Sequence, residues 1–366
     1  MPAPLSSLAP NRRRLALTAA ALAVILAIGG SAYAVGTGGS SQSAAPAASA
    51  PKTAAQKTAT SGAESKVKLG VFTGTSVSST NSFASWLGRK PAYAIDYSTR
   101  TTWSEIANPD WMLGVWKDSG YRMVYGVAML PTAKGDKSTI AAGAKGKYNK
   151  YYKKLAQNLV AYHQGNAIIR LGWEFNHPGY DWHPSNQKQF ITYWRKIVKT
   201  MRAVPGAENL KFDWNVNNGN QSLPKFNPTK YYPGPKYVDY IGVDIYDISW
   251  PHYPYPKKCG KACRQSHQAA AWKLVTTQQY GLNFWAKFAR SKGKKMSLPE
   301  WAAWDRSDHH GGADNPYFIS RMHAFIDNPQ NHVAYQAYFN FDSPSGKHKV
   351  TTLKSAGKRY KKLFRN

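Results

Sequence analysis

From residue 68 onward the chain repeats one pattern that leaves few folds open: a short apolar run, a break, then a segment with helical spacing. The runs are Val67 to Phe72, Ala92 to Asp96, Met123 to Met129, Ala167 to Leu171, Leu210 to Val216, Val238 to Ile245, Lys295 to Pro299 and Val333 to Phe341. Each has the length and apolar density of a strand buried on both faces. Between them, Tyr148, Tyr152, Leu155 and Leu159 share one helical face, as do Phe190, Tyr193, Trp194, Ile197 and Met201, and then Phe318, Met322 and Phe325. Breakers such as Pro205-Gly206, Gly293 and Pro329 close these segments. Eight strands alternating with helices over some three hundred residues predict an α/β fold of the (β/α)₈ TIM-barrel type, in one domain. A doubly wound open sheet is the alternative, but no GxGxxG turn follows the first strand.

The residues before the barrel read differently. Asn11-Arg12-Arg13-Arg14, the apolar run Leu15 to Ile28 and the small-x-small triplet Ala32-Tyr33-Ala34 predict a signal peptide over 1–34 and hence a secreted protein. An uncleaved anchor is the alternative, but the run falls short of the roughly 20 residues that span a bilayer. Residues 35–66 are rich in Ser, Ala, Thr and Gly without periodicity, and predict a flexible linker. The domain then occupies 67–366.

Charge narrows the partners. With 49 Lys+Arg against 19 Asp+Glu the net charge is +30. Loss of Arg12, Arg13 and Arg14, with no acid in 1–34, would leave 30 − 3 = +27. The lysines are scattered and no nucleic-acid motif accompanies them, so the expectation is electrostatic association with an anionic cell wall, without specific nucleic acid and without membrane once the signal is removed. A monomer is expected. The two cysteines, Cys259 and Cys263, are spaced to form a local disulfide in an exported chain. A metal would need more ligands than the nearby His252 and His267 supply. His309, His310 and Asp314 read as a glycine-rich loop, with a metal cluster as the alternative.

A barrel places its chemistry at the C-terminal ends of its strands. Two of the five glutamates fall there: Glu174 in IIRLGWEFN and Glu300 in LPEWAAW, both flanked by tryptophan. Apolar neighbours keep a carboxyl protonated near neutrality, which suits a general acid. The alternatives are an ion pair of Glu174 with Arg170, and a helix cap for Glu300. A carboxylate pair in an aromatic cleft suits glycoside hydrolysis, in which one group protonates the leaving oxygen and the other attacks the anomeric carbon or activates water. Tryptophan faces bind the apolar face of a sugar. Asn217 in FDWNVNNGN, with Asp244 and Tyr246 in VDYIGVDIYD, also falls at strand ends.

The segments IIRLGWEFN, VDYIGVDIYD and LPEWA resemble glycoside hydrolase family 26, the β-mannanase family of retaining (β/α)₈ glycosidases. The resemblance spans roughly 68–365. It implies that Glu174 is the acid/base and Glu300 the nucleophile, some 5 to 5.5 Å apart in a retaining site. It also implies that Tyr246 hydrogen-bonds the nucleophile, that Asp244 helps shape the sugar subsite, and that the substrate is a β-linked polysaccharide. There are departures: Trp173 stands where the family carries His before the acid, Met129-Leu130-Pro131 where it carries a sugar-binding His, and Tyr338 or Phe339 where it carries a strand-eight Trp. A different β-glycan is therefore kept open, as is a barrel that binds wall glycan without cleaving it. The expected substrate-binding set is Trp173, Asn176, Trp182, Trp214, Asn217, Asp244, Tyr246, Trp301, Trp304 and Tyr338, with no metal and no cofactor. His177, Tyr180, Asp181, Trp182 and His183 are expected to form a subsite wall, and Asp96 to be either a subsite residue or a neighbour of a helix cap.

Overall fold

A computed structural model describes residues 67–365. The expected signal peptide and linker lie outside the described residues. Eight parallel strands close into a barrel: β1 (Lys68–Phe72), β2 (Tyr93–Tyr97), β3 (Arg122–Val127), β4 (Ile168–Leu171), β5 (Lys211–Asn217), β6 (Tyr240–Tyr246), β7 (Lys295–Ala302) and β8 (Val333–Phe339). β8 pairs with β1 in parallel, Phe339 opposite Phe72, and closes the ring. All eight strands read from the apolar runs are present. A two-residue ladder, 305–306 against 346–347, ties the loop after β7 to the loop after β8.

The helices surround the barrel through the faces that the spacing marks. Gln187–Arg202 buries Phe190, Tyr193, Trp194, Ile197 and Met201, and Pro316–Asp327 buries Phe318, Met322 and Phe325. Local chemistry sets their ends: Asn186 and Asn315 accept from the first-turn amides of these two helices, and Pro316 takes the first position of the second. One connection differs from the repeat. Between β5 and β6 the only helical element is the 3₁₀ turn Pro228–Tyr231, because Pro224, Pro228, Pro233 and Pro235 remove the amide donors a helix needs.

The period of two along each strand decides what reaches the interior. On β5, Asp213, Asn215 and Asn217 point inward, while Trp214 points out to Trp285, Phe288 and Tyr232. On β8, Tyr335 bonds inward to Asp213, and Tyr338 turns out against Trp301 and Tyr360. β7 breaks the rule in a useful way. Ser297 faces inward to Asp213, yet Glu300, an odd number of residues later, does so too. Pairing slips by one residue between Leu298 and Trp301 against β8 and across Gly242/Asp244 against β6. A bulge of this kind re-aims a side chain, and Pro299, which has no amide hydrogen, sits inside it.

Cys259 and Cys263 are bonded, with Cα atoms 5.2 Å apart, at the start of the helix Lys261–Thr277. His267 lies near the two sulfurs, but the disulfide leaves neither cysteine a thiolate to offer a metal. Asp314 is engaged structurally: its carboxylate accepts from the amides of Ser355 and Ala356 at 2.8 and 2.6 Å, capping the helix Lys354–Phe364. Among the described residues no helix is long and apolar enough to cross a membrane.

Candidate active site

A cavity opens at the C-terminal end of the barrel, and both Glu174 and Glu300 line it. Tyr97, Trp173, Tyr180 and Tyr246 form aromatic walls around the two carboxylates. Phe339, from β8, and Phe341, Ser343, Ser345 and His348, from the loop that follows, complete it.

Glu300 faces donors. Tyr246 donates to its Oε1 at 2.5 Å, Tyr97 donates to Oε2, and Nη1 and Nη2 of Arg170 each lie 3.3 Å from Oε2. Arg170 is itself fixed from behind: Nη2 pairs with Asp244 and donates to Asn215 Oδ1 at 3.0 Å, while Asn215 donates to the other Asp244 oxygen at 3.0 Å. Arg170 and Asp244 have no exposed side-chain surface, and the guanidinium is matched through Nη1 and Nη2 by the two carboxylates, Asn215 and Tyr97, while its Nε has no partner among the described residues. Gly126 makes room for this arrangement, since a Cβ there would stand 2.5 Å from the Tyr97 ring.

Glu174 is held differently. It lies at the turn after β4, where Gly172 and Glu174 both adopt left-handed backbone, φ 53 and 50. Such a conformation is costly for a residue with a Cβ and persists where surrounding structure enforces it. The backbone amide of Glu174 donates to Asn215 Oδ1 at 3.3 Å. Its carboxyl receives Asn217 Nδ2 on Oε1 at 2.7 Å and Tyr180 Oη on Oε2 at 3.0 Å. Burial raises the Glu174 carboxyl from 4.5 to about 8, the negative charge of Glu300 adds to this, and Arg170, Tyr180 and Asn217 oppose it. The group is therefore protonated at neutral pH, beside a second carboxylate surrounded by donors. His348 is pushed down by burial to about 3, and so lines the cavity as a neutral ring.

The cavity gathers only some of the expected substrate-binding residues. Trp173, Tyr246 and the two glutamates line it, and Asn217 stands behind Glu174. Trp182 is fully buried behind Tyr180, ring on ring at 4.6 Å, instead of forming a wall. Trp214, Trp301 and Tyr338 point outward into the helix layer, by the strand alternation above, and do not line the cavity. Trp304 is buried and packs on His348 and Arg306. Asn176 pairs with the backbone of Asn217 through two 2.8 Å bonds, joining two loops. Asp244 is an ion-pair partner of Arg170, with no place in the lining. Asp96 is buried outside the cavity, accepting from Trp116 Nε1 at 2.6 Å. The pairing weighed between Arg170 and Glu174 is replaced by one with Asp244 and Glu300.

Several residues of the site carry no motif of their own. Tyr97 and Phe339 could have been found by counting inward positions along YAIDY and VAYQAYF; Phe341, Ser343, Ser345 and His348 lie on an irregular loop, where no period operates.

Comparison with known proteins agrees with the geometry. The family described as Glycosyl hydrolase family 26 matches residues 180–254, from the loop beside Glu174 to past β6. Endoglucanase H of Acetivibrio thermocellus is 36% identical over 112 residues, which cover 28% of this chain and only 12% of that protein. An endo-β-1,4-mannanase double mutant of Cellulomonas fimi superposes with a TM-score of 0.54 at 16% identity, over 80% of this chain and 70% of that one. The catalytic domain of the Bacillus sp. JAMB-750 GH26 endo-β-1,4-mannanase superposes with a TM-score of 0.51 at 16% identity, over 80% and 85%. The resemblance to glycoside hydrolase family 26 is thus met by sequence in the middle of the chain and by fold over most of it.

Proposed function

We propose, on the premise of this resemblance, that the chain is a retaining glycoside hydrolase that cleaves a neutral β-linked polysaccharide, with Glu174 as acid/base and Glu300 as nucleophile. The observation that carries the reading is the contrast between the two glutamates in one cavity: Glu174 is raised to about 8 and Glu300 is surrounded by donors. In the first step Glu300 attacks the anomeric carbon while Glu174 gives its proton to the departing glycosidic oxygen, whose bond to that carbon breaks. Glu174, now a carboxylate, then takes a proton from water as the water oxygen displaces Glu300. Tyr246 and Arg170 hold the nucleophile for both steps. No metal or cofactor enters this scheme. A neutral sugar is favoured because no Lys or Arg lines the cavity among the described residues, and its histidine is uncharged.

Endo-β-mannan is the first substrate to test, since the superposed structures are named as endo-β-1,4-mannanases. A β-glucan follows, supported by the match to an endoglucanase and by Trp173 in place of the family's His. The experiment is a screen for released reducing ends on mannan, glucomannan, mixed-linkage glucan and xylan, with the products sized. Release from one of them is expected. Silence on all four, with oligosaccharide binding retained, would favour a glycan-binding barrel. Secretion, and attachment of the basic surface to an anionic wall, belong to the same proposal.

A further inference from the structure

A hydrogen-bond chain leads along the cavity wall into Glu174. Trp173 Nε1 donates to Tyr180 Oη at 3.0 Å, and Tyr180 Oη lies 3.0 Å from Glu174 Oε2. An indole N–H only donates, so it occupies the phenol oxygen as an acceptor and leaves the phenol hydrogen for Glu174. The Tyr180 ring has little freedom to turn away. It stacks on Trp182 at 4.6 Å with 17° between planes, and Trp182 Nε1 is anchored on the carbonyl of Trp173 at 2.9 Å. Asn217 serves the other oxygen of Glu174, so each carboxyl oxygen has one donor and keeps a lone pair for the catalytic proton.

We propose that Trp173 and Tyr180 are a positioning pair for the acid/base: Trp173 fixes the direction of the Tyr180 hydroxyl, which in turn donates to Glu174 and stabilises the carboxylate left when its proton has gone to the leaving oxygen. This rests on the reading of Glu174 as acid/base. Tyr180 gives up no proton itself; it is held as a donor throughout, and the proton that moves is that of Glu174. The pair therefore sets how readily Glu174 releases and recovers its proton. Other groups act on the same charge: Glu300, Arg170, Asp244 and Tyr246 from the barrel strands, with Arg100 facing Tyr180 and Asp181 facing Arg100. Tyr180→Phe leaves all of these in place and removes one donor.

The chain has five glutamates, Glu64, Glu105, Glu174, Glu208 and Glu300, so enzyme labelled with ¹³C at the glutamate carboxyls offers few signals to follow. The signal missing in Glu174→Gln assigns Glu174. In Tyr180→Phe its titration midpoint should rise by about one pH unit, because the charged form loses a donor. In Trp173→Phe it should rise by less, with the other glutamates unmoved. An unchanged midpoint in folded Tyr180→Phe overturns the proposal, and a shift in Tyr180→Phe alone removes Trp173 from the pair. If Tyr180→Phe does not fold, Trp173→Phe decides alone. The alkaline limb of kcat/KM should move with the midpoint. If the wild type cleaves no glycan, the glycosidase reading fails, and the titration still decides whether the pair holds Glu174.

Discussion

Tyr246 donates to Glu300 across 2.5 Å, and the two residues face each other from adjacent strands, β6 and β7, although they are 54 positions apart in sequence. The contact depends on the bulge at Leu298–Trp301, which turns Glu300 inward. With Tyr97 and Arg170 it presents one carboxylate oxygen to each side of a fixed frame, an arrangement suited to a nucleophile that must not rotate.

Glu300→Gln should lower hydrolysis at least ~10³-fold while the protein stays folded and binds oligosaccharide, because the amide keeps the shape and loses the attacking charge. Reducing-end release and affinity electrophoresis check the two halves. Turnover close to wild type would remove Glu300 as the nucleophile.

Replacing the acid has a different signature. Glu174→Ala should cost roughly 10² to 10⁴ in rate on polysaccharide, the usual contribution of a general acid, and much less on an aryl glycoside whose leaving group departs without a proton. Added azide should restore turnover on the aryl substrate by attacking the glycosyl-enzyme in place of water, giving a glycosyl azide of retained configuration. No azide product would count against this role.

The barrel was legible because its signal is repeated: eight apolar runs each report the same environment, and boundary errors of a residue or two do not disturb the count. The glutamates were legible because a carboxylate at an apolar strand end is rare in a chain with five of them. What failed was direction. Proximity to Glu300 made Trp301 look like a sugar platform, yet neighbouring strand residues face opposite ways, and an inward Glu300 sends Trp301 outward to Phe318 and Phe364. Trp214 and Tyr338 failed for the same reason. The sequence offers Arg170 as a partner of Glu174, four residues away, whereas the barrel brings it to Asp244 and Glu300 across the interior. Such pairings join strands far apart in sequence, and no local pattern encodes them.

The buried ion pair makes a prediction about stability. Arg170→Met leaves Asp244 without its cation at a site with no exposed surface, and should destabilise the fold by about 3 to 5 kcal/mol. Arg170→Met combined with Asp244→Leu should recover part of that loss while remaining inactive, since Glu300 still lacks its guanidinium. Urea midpoints of the two variants, compared with wild type, test this; equal midpoints for the single and double variants would mean that Asp244 is not the group left stranded.

Attachment to an anionic wall should be governed by screening. At a net charge of +30, binding to wall preparations should weaken steadily as salt is raised, because the Debye length shortens from ≈ 10 Å at 0.1 M to about 3 Å at 1 M. Sedimentation of the protein with wall fragments over that range measures it. Retention indifferent to salt would point instead to the glycan cavity as the anchor.

The pH dependence follows from Glu174. Its carboxyl is raised from 4.5 to about 8, first by burial and then by the charge of Glu300. The acid acts only when protonated, so kcat/KM on a polysaccharide should hold through neutrality and then fall about tenfold per pH unit above 8. The sign is that of a group losing the proton it must donate; a carboxyl left at its ordinary value would have lost it below pH 5. An activated aryl glycoside, which needs no proton for departure, should lack this limb when its first step is followed. A polysaccharide profile that already falls between pH 5 and 6 would show that the essential acid loses its proton well below 8, and would overturn the raised value of Glu174.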